Sequence, residues 1–146
     1  MGNNILTPAA VLVIWSLIML FWTAATRFPA IAKAGLDIKN AAPGGRGQDL
    51  EGVLPPKVQW KAHNYAHLME QPTLFYAVIA ILAITGGASQ TAICLAWTYV
   101  GLRIAHSLWQ ATVNTIMPVR FGLFLLSTIV LVILSVIALL ATLEGA

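Results

Sequence analysis

The sequence predicts an all-α integral membrane protein in which one domain forms a bundle of four membrane-spanning helices. Apolar residues make up 59% of the 146 residues and charged residues only 9%, whereas soluble domains average about 25% charged residues. The mean hydropathy is +0.83. Apolar stretches long enough to cross a bilayer occur four times along the chain. The single cysteine, Cys94, rules out an intrachain disulfide.

The four apolar stretches set the expected spans of one domain, residues 1–146. We expect them at residues 5–28, 58–85, 90–116 and 120–143, with a polar loop over residues 29–57. The first span follows residues without Lys or Arg and is longer than the apolar part of a signal peptide, so we interpret it as a retained helix. Pro72 interrupts the second span, which predicts a kink near Glu70.

The distribution of basic residues predicts the orientation. Lys and Arg concentrate in the loop over residues 29–57, and Arg120 lies in the connection before the fourth span. Under the positive-inside rule, the first and third connections face the cytoplasm and both termini lie on the opposite side. The net charge of +3 is therefore explained by orientation in the membrane, and we expect no nucleic-acid partner.

Two polar stripes lie inside otherwise apolar spans. Each ionisable group at membrane depth costs about 2.5–3.5 kcal/mol on insertion scales, so such groups usually face a bundle interior or a site. On a helix, residues spaced by three, four or seven share a face. We therefore expect the stripes to meet, with Glu70 within reach of Arg103 or His106. The second span carries His63, Asn64, His67, Glu70 and Gln71, and the third carries Arg103, His106, Gln110 and Asn114.

Several kinds of site are compatible with these stripes. The first is an anion or thiol site, because arginine binds carboxylates bidentately and lowers the pKa of a neighbouring thiol. The second is a metal site, but carboxylate-bridged sites in four-helix bundles use paired E-x-x-H motifs, so we predict no metal. A third is a proton-coupled small transporter with Glu70 as the carrier. The structural alternative is that Glu70 and Arg103 only hold the helices together.

Three short motifs then resemble those of a known family. They are R-I-A-H-S at Arg103–Ser107, P-V-R at Pro118–Arg120, and K-A-H at Lys61–His63 followed by Glu70. Together with four spans in a chain of this length, they resemble the MAPEG superfamily, the membrane-associated proteins of eicosanoid and glutathione metabolism. The chain has His67 where characterised enzymes of the family have Asn, and Gln110 where Tyr is frequent, so it resembles a divergent bacterial branch.

The resemblance implies a homotrimer in a bacterial inner membrane, with glutathione bound between subunits near the cytoplasmic face. It implies a glutathione-dependent transferase or peroxidase that acts on hydrophobic small molecules dissolved among the membrane lipids. Arg120 would be the catalytic residue that stabilises the glutathione thiolate. The alternative is a non-enzymatic protein that binds lipids or small molecules. The residues expected to hold glutathione are Glu70, Arg103, His67, His106, Asn64, Gln110 and Asn114.

Overall fold

The computed structural model describes residues 4–37, 40 and 43–144, and within these residues all regular structure is helical. A short 3-10 helix, Gly47–Leu50, lies in the polar loop. The five α-helices in chain order are α1 (Leu6–Lys33), α2 (Pro56–Leu68), α3 (Gln71–Ile84), α4 (Gln90–Thr112) and α5 (Met117–Glu144).

Helices α1, α4 and α5 begin or end at residues other than those predicted for the membrane spans. Helix α1 continues through Pro29 to Lys33, five residues beyond the predicted end, and Lys33 stands in the last turn, where a cation interacts favourably with the helix dipole. Helix α4 stops at Thr112 rather than residue 116, because Asn114 adopts a left-handed conformation with φ 43°. Helix α5 begins at Met117, because Pro118 in its first turn sacrifices no hydrogen bond.

Three stretches of the described residues are long and apolar enough to cross a membrane: Leu6–Lys33, Pro56–Ile84 and Met117–Glu144. Helix α4 is not one of these stretches, because its polar stripe lowers its mean hydropathy. The crossing of the membrane by α4 stays a prediction.

The second predicted span is broken into α2 and α3 at Met69 and Glu70, which confirms the expected kink. Glu70 has φ −88° and ψ −95°, outside the helical region, and Pro72 stands in the first turn of α3. Proline lacks an N–H, so the carbonyl four residues earlier loses its usual helical donor. The break therefore leaves backbone carbonyls at the end of α2 that need other partners.

Helix α4 runs antiparallel to α2 and α3, and three contacts fix their register. The Nζ of Lys61 donates to the carbonyl of Ala111 at 3.2 Å. About two helical turns further along α4, Arg103 contacts His67. One turn beyond that, Tyr99 donates through its hydroxyl to Oε1 of Gln71 at 3.4 Å. The polar stripes of the second and third spans therefore face each other across one helix interface.

An apolar core continues this interface toward the other end of the bundle. Phe75 of α3 and Tyr99 of α4 are fully buried, and their rings stack with centroids 4.3 Å apart. Outward-facing side chains are also apolar: Phe21 on α1 is 71% exposed and Leu139 on α5 is 59% exposed. Such surfaces suit lipid contact, since a soluble protein rarely exposes large apolar patches.

The turn between α3 and α4 packs tightly against α5 and gives a first prediction. A Cβ at Gly87 would lie 2.8 Å from Cβ of Ala141 and 3.0 Å from Leu82, whereas a Cβ at Gly101 would meet nothing within 4 Å. Gly87→Ala should therefore destabilise the bundle by about 1–3 kcal/mol through overpacking. The matched Gly101→Ala change should stabilise α4 by about 0.5–1 kcal/mol. Thermal unfolding in one detergent measures both; an unchanged melting temperature for Gly87→Ala would contradict the packing.

Candidate functional site

Arg103 is the most buried charged side chain at the interface of the two stripes, with no exposed surface. Its Nη2 donates to Nδ1 of His67 at 3.0 Å and to the backbone carbonyl of His67 at 3.2 Å. Because Nδ1 accepts this bond, the proton of the neutral imidazole resides on Nε2. Arg103 therefore fixes both the main chain and the ring orientation of His67.

The helix break explains why Arg103 binds there. The carbonyl of His67 receives only a long 3.4 Å bond from the N–H of Glu70, because the regular helix ends one residue later at Leu68. A guanidinium at a helix C-terminus supplies donors to orphan carbonyls and interacts favourably with the helix dipole. Arg103 thus acts as a side-chain cap for α2, delivered from α4.

Two histidine rings stand beside this cap. The ring centroids of His67 and His106 lie 4.9 Å apart, and Phe124 of α5 packs edge-on against His67 at 5.6 Å. His106 is only 2% exposed. The two histidines and Phe124 line a cleft of about 140 Å³ whose other walls are Met117, Arg120 and Phe121.

Arg120 supplies the positive charge at the wall of this cleft. Its Nη1 donates to Oδ1 of Asn114 at 2.8 Å, and both side chains are half-buried. Asparagine tolerates the left-handed conformation that ends α4 better than most residues do. The turn from α4 to α5 therefore folds Arg120 back to the end of α4, next to the histidines.

Asn64 and Gln110 lie deeper, in the interior of the helix bundle. Asn64 is 1% exposed and Gln110 is 4% exposed. Nδ2 and Oδ1 of Asn64 have no hydrogen-bond partner among the described residues, and the same holds for Oε1 of Gln110. Neither residue is among those that line the cleft. The predicted set of binding residues therefore divides into an inner group, Arg103, Asn64 and Gln110, and a cleft group, His67, His106 and Arg120 with Asn114 behind it.

Glu70 is placed differently from the expectation of a buried pair with Arg103. It is exposed, and in the described part of the chain it forms no ion pair within 4.0 Å. The carboxylate that contacts a histidine is Glu51, which contacts His63. The non-helical backbone at Glu70 takes its side chain out of the helical stripe. The Glu70–Arg103 pair is therefore not formed in the subunit.

The positions of the three histidines bear on the alternative hypothesis of a metal site. His63 contacts Glu51 of the loop rather than joining His67 and His106. Across residues 4–37, 40 and 43–144, no group of three or more His, Cys, Asp or Glu side chains is arranged to hold a metal ion.

A polar connection that sequence reasoning missed continues the stripe toward α5. Nε2 of Gln71 donates to Oγ1 of Thr128 at 2.8 Å, while Oε1 of Gln71 accepts from Tyr99. Gln71 and Thr128 then form one end of an apolar groove of about 470 Å³ between α3 and α5. Tyr99 stands four residues before Arg103, so extending the helical spacing backwards would have found it.

Comparison with known proteins agrees with this architecture. The MAPEG family model matches residues 5–140. The chain belongs to the MAPEG family. This membership and the three long apolar helices make it an integral membrane protein. No curated protein and no solved structure matches this MAPEG chain.

Proposed function

We propose that this MAPEG protein is a glutathione-dependent transferase or peroxidase that acts on hydrophobic electrophiles taken from the membrane. Family membership supports a glutathione-related role. The observation that carries the proposal is the position of Arg120 on a cleft shared with His67 and His106. A permanent cation beside two imidazoles is the setting in which a bound thiol ionises readily.

The chemistry follows from that charge. Arg120 stabilises the thiolate, and the thiol proton passes to solvent. In a transfer reaction the sulfur forms a bond to an electrophilic carbon, and the electron pair of the broken bond leaves with a leaving group or with a ring oxygen that takes up a proton. In a peroxidase reaction, two glutathione molecules reduce one hydroperoxide to an alcohol and water and form one glutathione disulfide.

The groove between α3 and α5 is the expected route for the second substrate. Its walls are apolar side chains such as Leu74, Val78 and Leu131, with Gln71 and Thr128 at the end near the cleft. Thr128 stands one helical turn after Phe124, which lines the cleft. An apolar molecule in the bilayer could therefore reach the sulfur along α5 without crossing water.

The proposal includes a homotrimer in a bacterial inner membrane, with α4 crossing as the fourth span and the cleft near the cytoplasm. Small-molecule sites usually have volumes of about 300–1,000 Å³, and the cleft has only about 140 Å³. A neighbouring subunit would complete its wall. The Lys61–Ala111 bond puts the basic end of α2 beside the end of α4, which supports a common cytoplasmic side for the loop and the cleft.

A non-enzymatic role in binding lipids or small molecules is the second candidate. The capping of α2 by Arg103 favours it, because Nη2 of Arg103 already has two acceptors within the chain, Nδ1 and the carbonyl of His67. Under this alternative, the polar stripes hold the bundle together and the cleft binds no thiol.

Glutathione binding to the detergent-purified protein tests the proposal. We expect saturable heat in calorimetry and an ultraviolet thiolate difference signal for the native protein. Arg120→Ala should remove the thiolate signal, because the thiol would return toward its ordinary pKa. Arg46→Ala, which removes a charge from the exposed loop, is the matched control and should behave as the native protein does. Absence of binding to the native protein would favour the non-enzymatic alternative.

A further inference from the structure

Another cleft lies between the end of α1 and the segment that leads into α2, and it shares no lining residue with the cleft of Arg120. It has a volume of about 580 Å³. Most of its walls are apolar, including Ala25, Pro29, Val53 and Val58, and Lys33 stands at its border. This combination of an apolar trough and one cation lies outside the site proposed for glutathione.

The position of the cleft along α1 matches the edge of the bilayer. Helix α1 carries no charged residue from Leu6 to Thr26, about 31 Å at 1.5 Å per residue. This length equals the hydrocarbon thickness of a typical bilayer, about 30 Å. The wall from Ala25 to Ala34 therefore begins where the hydrocarbon ends and extends through the layer of lipid headgroups.

The charges around the cleft favour an anionic occupant. The carboxylates that follow α1 are engaged with other groups: Oδ2 of Asp37 accepts from Nδ2 of Asn40 at 2.6 Å, Oδ2 of Asp49 accepts from the backbone N–H of Arg46 at 2.6 Å, and Glu51 contacts His63. Lys33, in contrast, forms no ion pair within 4.0 Å in the part of the chain that the structure describes. A lysine at a bilayer surface attracts anionic lipids.

We propose that this cleft binds an anionic phospholipid, with one acyl chain against Ala25 and Pro29 and the phosphate beside Lys33. The apolar walls accommodate the end of the acyl chain nearest the headgroup, at the boundary of the hydrocarbon, and the ammonium group neutralises the phosphate in the headgroup layer. The site is independent of glutathione and of Arg120, so it stands whether or not the protein is an enzyme.

Native mass spectrometry of the detergent-purified protein tests this site, with phosphatidylglycerol and phosphatidylcholine of identical acyl chains as probes. We expect tighter binding of phosphatidylglycerol. Lys33→Gln should weaken that binding about fivefold, the effect of one basic group at an anionic surface, and leave phosphatidylcholine unaffected. Arg46→Gln removes a charge from the loop after α1, at a residue that does not line the cleft. This variant should bind both lipids as the native protein does.

A second pair of variants tests the apolar trough without changing charge. Ala30→Phe should fill the cleft and weaken both lipids, and Ala25→Phe serves the same purpose if Ala30→Phe does not fold. Equal losses for Lys33→Gln and Arg46→Gln would overturn the proposal, since only net charge would then matter. Native-like lipid binding by the phenylalanine variants would also overturn the proposal. The same holds if glycerol phosphate alone competed with the lipid, or if position 33 crosslinked to a second copy of the chain.

Discussion

Replacing Arg103 by leucine should lower the melting temperature of the detergent-solubilised protein by about 5–10 °C. The change removes both bonds to His67. Nδ1 of His67 is then left without a donor and its carbonyl keeps only the 3.4 Å bond from the N–H of Glu70, and each lost partner costs about 1–3 kcal/mol. Because the carbonyl keeps one weak bond, we expect a combined loss near the lower end of that range, about 2.5 kcal/mol, which at about 2–4 °C per kcal/mol for a chain of this size gives the expected shift.

Whether Arg103 stabilises or destabilises the bundle depends on the unassembled state with which the bundle is compared, because burying a charge without a partner itself costs free energy. For a membrane protein, the unassembled state is a set of inserted helices, in which Arg103 would face lipid at a cost of about 2.5–3.5 kcal/mol. Packing α4 against α2 supplies two acceptors to Nη2 of Arg103, which offsets part of that cost, while its Nε and Nη1 have no partner among the described residues. Leucine incurs no such cost when it faces lipid and needs no acceptors, so the free energy of helix association should be less favourable in the variant.

Matched variants separate this role from a role in ligand binding. Thr98→Leu changes an exposed residue of the same helix whose hydroxyl donates to the carbonyl of Cys94 within that helix, and should leave the melting temperature unchanged. Arg103→Lys keeps one charged donor and should fall between the native protein and Arg103→Leu. A Leu variant that melts normally but no longer binds glutathione would show that Arg103 serves the ligand instead.

Sequence reasoning predicted the parts of this structure that depend on spacing. Arg103, His106 and Gln110 are all buried on one face of α4, as residues spaced by three and four should be. The break near Glu70 followed from Pro72, since proline removes a backbone donor wherever it stands. The family followed from short motifs, and the family model confirms it.

The remaining features depend on local backbone geometry, which spacing does not determine. Asn114 was assigned to the helical stripe, but its left-handed φ of 43° ends α4 and turns its amide toward Arg120. Glu70 was expected beside Arg103, but its own non-helical backbone separates them. The partner of Arg103 is instead a carbonyl released by the break, and a carbonyl has no signature in the sequence.

The second large effect is expected at Arg120. Arg120→Ala should lower kcat/KM for conjugation of a hydrophobic electrophile about 100-fold or more, the range found when one preorganised donor to a developing anion is removed. Most of the loss should appear in kcat, because under the proposed function the guanidinium would stabilise the thiolate rather than the peptide backbone of glutathione. Steady-state kinetics in detergent or in reconstituted vesicles measures the split between kcat and KM.

Two neighbouring substitutions establish whether Arg120 acts by its charge and its placement. Arg120→Lys retains the charge without the planar fork and should recover part of kcat. Asn114→Ala removes the 2.8 Å bond that holds Nη1 of Arg120, so it should lower kcat by a smaller factor while the melting temperature changes little, because both groups are half-buried. If Arg120→Ala turned over at the native rate, the thiolate would be stabilised elsewhere, and the His67–His106 pair would be the next candidate on the same cleft.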